Sequence, residues 1–172
     1  MRGNIFSRLK RPNSQSLMEA QMHFDKGVRL SAEGQFSKAI KAYLAVLEIR
    51  PDFVPAFKNL GAAYDELGQF VDALKVYTKA IMLAPHDAEL RNDLGLVYFN
   101  VGSYAEAIKA FKQALDIDSH NVRAHYCLGL VYLDLGDFQM AAEAHDQLKD
   151  RDEKLLAFEL LDKIQMQSRQ AS

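Results

Sequence analysis

The residues able to do chemistry in this chain are few: His23, His86, His120, His125, His145 and the single cysteine, Cys127. None of the histidines stands in a metal-ligand spacing such as HExxH. His86 and His120 recur 34 residues apart at the same point of successive stretches, so repetition explains them better than a shared ligand. His125 and Cys127 are two apart on a helical pattern and point to nearly opposite sides, which argues against a Cys/His nucleophile. No glycine-rich phosphate loop is present, because eight of the nine glycines obey a different rule. The expectation is no catalytic residue, no cofactor and no metal: the chain is not an enzyme and acts through its surface. One cysteine excludes an internal disulfide and fits a reducing compartment, so a cytoplasmic location is expected. No apolar run approaches the ~18 residues of a membrane span, and the N-terminus lacks a signal-peptide core.

The glycines follow a period of 34, at Gly27, Gly61, Gly95 and Gly129 and again at Gly34, Gly68, Gly102 and Gly136. Phe36, Phe70, Tyr104 and Phe138 make an aromatic column, Ala39, Ala73, Ala107 and Ala141 a small one, and Leu30, Tyr64, Tyr98 and Tyr132 a third. Four units result, residues 20–53, 54–87, 88–121 and 122–152, each of two helical patterns parted by a glycine. The earlier glycine, such as Gly61, is expected to let the two helices approach, with the alanine column answering it. The later one, such as Gly68, is expected to end the first helix in a left-handed conformation. Ser16 and Glu19 form a capping box for the first helix, and Asp52, Asp87 and Asn121 are candidate caps for the later first helices. Pro51 and Pro85 stop the helices before them. Past the fourth unit, Leu156, Leu160 and Ile164 recur four apart and predict a capping helix over 153–167, with a tail at 168–172. His145 stands where Tyr43, Tyr77 and Phe111 stand, a departure that suits a terminal unit.

At these columns the chain resembles the tetratricopeptide repeat (TPR) family over most of its length. The resemblance implies an all-α fold, a right-handed α-solenoid of four helix-turn-helix units plus a C-terminal capping helix. It also implies that the stripe opposite each first helix's packing face lines a concave groove for partners. That stripe places Phe24 and Asp25, then Lys58, Asn59, Asp65 and Glu66, in the groove of the first two units. The third unit adds Glu89, Asn92, Asp93, Leu96, Phe99 and Asn100, and the fourth Arg123, Tyr126 and Leu130. Phe99 and Tyr126, with polar neighbours, are the expected anchors.

Charge completes the reading. The chain is at −2 overall, yet residues 1–16, read as a flexible basic arm, hold Arg2, Arg8, Lys10 and Arg11 and no acid, beside Ile5, Phe6 and Leu9. With Asp134 at its end, the groove stripe holds six acids against two bases. The expected partner is therefore a protein or peptide, basic and amphipathic, and the expected function a non-enzymatic interaction module, an adaptor or scaffold. Self-association is the alternative: a homo-oligomeric scaffold, recruited to a membrane surface by peripheral contact through residues 2–11. Nucleic acid is not an expected partner, because the body is acidic. TPR domains that clamp a chaperone's C-terminal carboxylate need a set of bases and asparagines, of which this chain offers Lys58 and Arg123 but Ala62, Asp93 and Cys127 at the other places.

Overall fold

Four of the glycines stop a helix. Gly34, Gly68, Gly102 and Gly136 have φ of 70°, 69°, 76° and 73°, a left-handed backbone that costs other residues about 1–2 kcal/mol. The computed structural model describes residues 12–150 and 153–170. Among the described residues the helices are α1 (Ser14–Ala32), α2 (Phe36–Ile49), α3 (Val54–Glu66), α4 (Phe70–Leu83), α5 (Ala88–Asn100), α6 (Tyr104–Ile117), α7 (Val122–Asp134), α8 (Phe138–Asp150) and α9 (Lys154–Gln170), with no strand. Each left-handed glycine thus sits between the two helices of one repeat. The α2 and α4 helices end just before Pro51 and Pro85, as a proline's steric demand on its predecessor requires.

The chain forms two compact units, one up to Gly68 and one from Gln69. In the first, α1 packs on α2 and α2 on α3. In the second, each helix from α4 to α9 packs on its successor, and α7 also touches α5 and α9. The second unit's core gathers Phe111, Leu128, Val131, Leu133, Leu148 and Leu160.

At Gly27 and Gly95 the atoms nearest the helix-crossing glycine belong to an aromatic ring of the second helix rather than to the alanine column expected to answer it. A Cβ on Gly27 would lie 2.5 Å from the Tyr43 ring, and one on Gly95 would lie 2.7 Å from that of Phe111. The alanines of that column, Ala39, Ala73, Ala107 and Ala141, are wholly buried on the second helices. In the fourth repeat the corresponding position is His145, whose side chain is paired with Asp146 at 3.1 Å. There Leu160 of α9 fills the hollow, 2.5 Å from a Cβ placed on Gly129. The departure at His145 and the presence of α9 are one adaptation.

Helix starts differ from expectation at two places. Asn13, not Ser16, caps α1: its Oδ1 accepts the Ser16 N–H at 2.8 Å, while Ser16 Oγ donates to Asn13 O at 2.9 Å. The helix therefore takes residues 14–16 from the expected arm; residues 1–11 of that arm lie outside the described residues. Asp52 caps nothing, since α3 starts one residue later than it would require, from Phe53 and with Pro55 in its first turn. Asp87 and Asn121 do cap α5 and α7, accepting from Leu90 N and Ala124 N at 3.2 and 3.0 Å. At the other end α9 runs through residues 168–170, expected as tail.

The glycine–ring contact is testable by a double-mutant cycle. Gly95→Ala gains about 1 kcal/mol of helix propensity but overpacks against Phe111, for a net loss of roughly 1–2 kcal/mol in denaturant titration. Adding Phe111→Leu should recover part of the loss, with a coupling of at least ~0.5 kcal/mol; strictly additive losses would show that the two side chains do not compete for one space.

Candidate functional site

Asn121 organises the surface of the second unit. Besides capping α7, its Oδ1 accepts from Asn92 Nδ2 at 2.8 Å, and its Nδ2 donates to Glu89 Oε1 at 3.2 Å. Glu89 in turn accepts from Arg123 Nη1 at 3.3 Å, and the same nitrogen donates to Asp93 at 2.8 Å. Burial works against the Arg123 charge, but the carboxylates of Asp93 and Glu89 outweigh it and hold the guanidinium above its ordinary pKa. Burial pushes the neighbouring Cys127 thiol up to about 11, against the pull of Arg123. The thiol is thus kept protonated.

This network changes the role of three residues expected in the groove. Asn92 is 0% exposed and joins α5 to the turn before α7, so a docked partner cannot touch it. Asp93 is 8% exposed and committed to Arg123. Arg123 stays half-exposed, but with its charge already matched by two carboxylates.

Aromatic residues fall at the boundary between core and surface. Leu96, Phe99, Tyr126 and Leu130 are partly buried against the second unit's core while keeping an accessible edge. The Phe99 ring lies 5.9 Å from Tyr104, whose hydroxyl donates to Asp134 at 3.3 Å. The Tyr126 hydroxyl donates to Glu159 of α9 at 2.6 Å. Each expected anchor is thus linked to a carboxylate. Partial burial and then Glu159 raise the Tyr126 pKa, while the same hydrogen bond, with Lys163, lowers that of Glu159. Sequence reasoning had Asp134 on the stripe and Tyr104 in the aromatic column but missed the bond that joins them, and it missed Glu159 altogether. The α9 residue has no counterpart in the repeat; its only signal was its place beside Leu160 in the cap's apolar stripe.

In the first unit Phe24 is likewise partly buried. Its ring packs against Tyr43 at 6.0 Å and Phe53 at 5.3 Å, at the edge of a core of Ala20, Val46 and Ala56. Asp25 and Glu66 are exposed, whereas Lys58, Asn59 and Asp65 are half-buried. Asn59 and Glu66 share a 210 Å3 cleft with Val28, Ser31 and Tyr43, and Ser31 meets the Tyr43 hydroxyl at 3.1 Å. Asn100 is exposed on the last turn of α5.

His125 is buried beside Ser119 O at 3.2 Å. Among the described residues, no helix is long and apolar enough to cross a membrane. Residues 2–11, the expected membrane contact, lie outside them.

Comparison with known proteins matches the family pattern described as TPR repeat to residues 27–68 and 101–136, and that described as Tetratricopeptide repeat to residues 54–87. No curated protein matches the sequence. Among solved structures, the chain is similar to MamA 41-end from Desulfovibrio magneticus RS-1, at 26% identity over 78% of this chain and 76% of that one, with a TM-score of 0.72. It is similar to a second crystal structure of MamA protein, at 25% identity over 87% and 92%, TM-score 0.67. The first TPR of Spaghetti (RPAP3), bound to the HSP90 peptide SRMEEVD, shares the fold at 22% identity over 73% and 98%, TM-score 0.66.

The Tyr126–Glu159 bond gives a pH-resolved test. A carboxyl with a lowered folded pKa stabilises the fold above its unfolded pKa and loses that contribution as pH falls through the lowered value. Tyr126→Phe should therefore speed amide exchange in α9 several-fold at neutral pH, and the difference from wild type should close in acid. Equal protection at every pH would remove Tyr126 as the tie to α9.

Proposed function

Because the chain belongs to the tetratricopeptide repeat family, a family of protein-interaction scaffolds, we propose that it is a non-enzymatic adaptor whose first-helix surfaces hold a basic, amphipathic segment of another protein. One observation carries the class of partner: the aromatic groups of the second unit end in carboxylates, Phe99 through Tyr104 at Asp134 and Tyr126 at Glu159. Leu96, Phe99 and Leu130 offer the apolar floor, and Asp134 and Glu159 the cation-accepting rim. The base on the same surface, Arg123, is neutralised by Asp93 and Glu89 and so does not attract an anion. Asp25 and Glu66 extend the acidic character on the first unit's own surface.

A peptide with the acidic end of SRMEEVD, which the Spaghetti domain binds, fits this surface poorly. Ala62, Asp93 and Cys127 replace groups that would hold a carboxylate, and like charges would face each other. A self-assembling scaffold is the second reading, favoured by Phe158 and Met166, which stand 69% and 59% exposed on α9.

Binding of a synthetic lysine–leucine amphipathic helix, followed by fluorescence anisotropy, tests the proposal. The affinity should fall with added salt, because exposed charges are screened over about 8 Å at 0.15 M. Asp134→Asn and Glu159→Gln should each weaken it several-fold with helicity unchanged, and binding indifferent to both substitutions would overturn the assignment.

A further inference from the structure

The first and fourth repeats carry the same cleft, and it is walled differently in each. In the fourth, a 380 Å3 cleft is lined by His125, Leu128 and Tyr132 of α7 and by Met140, Glu143 and Ala144 of α8. A further wall comes from the preceding helix, α6, through Lys112 and Leu115. Three periods of 34 earlier stand His23, Lys26 and Leu30 of α1 and Lys38, Lys41 and Ala42 of α2, and these line a 340 Å3 cleft of the first unit. Its walls come from α1 and α2 alone. Elsewhere the second helix of one repeat packs on the first helix of the next, as α2 does on α3, α4 on α5 and α6 on α7. Among the described residues, α1 has no such helix before it.

The charge of the cleft reverses between the two copies. In the fourth repeat α6 presents Lys112 and, one turn on, Leu115, to a cleft whose α8 wall bears Glu143 and Asp146. In the first repeat Leu128, Met140 and Glu143 are replaced by Lys26, Lys38 and Lys41, and no carboxylate lines the cleft. The floor stays apolar, with Leu30, Ala42 and Ala45. Nearby on the same two helices, Met22 and Leu44 are exposed. The charged residues of the chain's own segment 2–11 are all bases, which the three lysines would repel.

We infer that this cleft is the seat of an amphipathic helix from a partner protein, set as α6 is on the fourth repeat but with an acidic residue in place of Lys112 and an apolar one in place of Leu115. The seat is distinct from the acidic surface of α5 and α7. It selects the opposite charge, so one chain would join two dissimilar partners.

The probe is a stapled peptide of α6's own sequence, residues 104–117, carrying Lys112→Glu, compared with the same peptide unchanged. Against the full chain, the Lys112→Glu peptide should bind at least tenfold more tightly. Lys26→Glu with Lys41→Glu in the chain should invert that order, circular dichroism confirming the helices, whereas Asp134→Asn should leave it untouched. Equal affinities, an order that survives the lysine reversal, or sensitivity to Asp134→Asn would each overturn the inference. So would a chain that ignores both peptides yet binds phosphatidylserine vesicles through the same lysines, which would make the cleft a lipid contact.

Discussion

The contact between a glycine on the first helix and a ring on the second governs how this chain is built. A side chain at Gly27 or Gly95 would enter the Tyr43 or Phe111 ring, so the two backbones sit closer than any other residue would permit. Once that distance is set, the wholly buried Ala39 and Ala107 columns follow. The last repeat shows the constraint most clearly. With His145 in the ring's place, the hollow over Gly129 would lose its packing, and Leu160 of α9 restores it from another helix. The cap thus completes the last repeat as well as covering its face.

The proposed function rests on a second constraint, the demand of buried polar groups for partners. Asn121 satisfies the start of α7, holds Asn92 and steadies Glu89, and Glu89 with Asp93 then fixes Arg123. The consequence reaches the surface: Arg123, a base that would otherwise attract acidic ligands, has its charge matched by its own acids. What remains accessible around Phe99 and Leu130 is apolar and bordered by carboxylates. At the N-terminal end the opposite holds, with Lys26, Lys38 and Lys41 around an apolar cleft.

The periodicity made the helices and their glycine stops legible, because a left-handed residue and a tight crossing each admit few residue types. Less legible was anything requiring the length of a side chain. A helical wheel treats Asn92 and Tyr126 as equivalent positions of successive repeats, yet Asn121 reaches over Asn92 and seals it, while Tyr126 reaches out to Glu159. Nor could the wheel show that Phe53, just before α3, packs its ring edge-on against Phe24. Glu19 completes a capping box with Ser16 in the sequence, yet Asn13, three residues earlier, accepts the Ser16 N–H and starts the helix. The cap's contacts were hidden for a different reason: α9 repeats nothing, so no column could bring Glu159 to Tyr126 or Leu160 to Gly129.

The central claim is that a partner lies on the first helices of the repeats, over an apolar floor edged by acids. Methyl-resolved NMR of the full chain titrated with the lysine–leucine helix tests this most directly. The account predicts that the Leu96 and Leu130 methyls shift first and furthest, with Leu115 and Leu148 on the second helices nearly still. Shifts confined to second-helix methyls would place the partner on the other side of the repeats and contradict it.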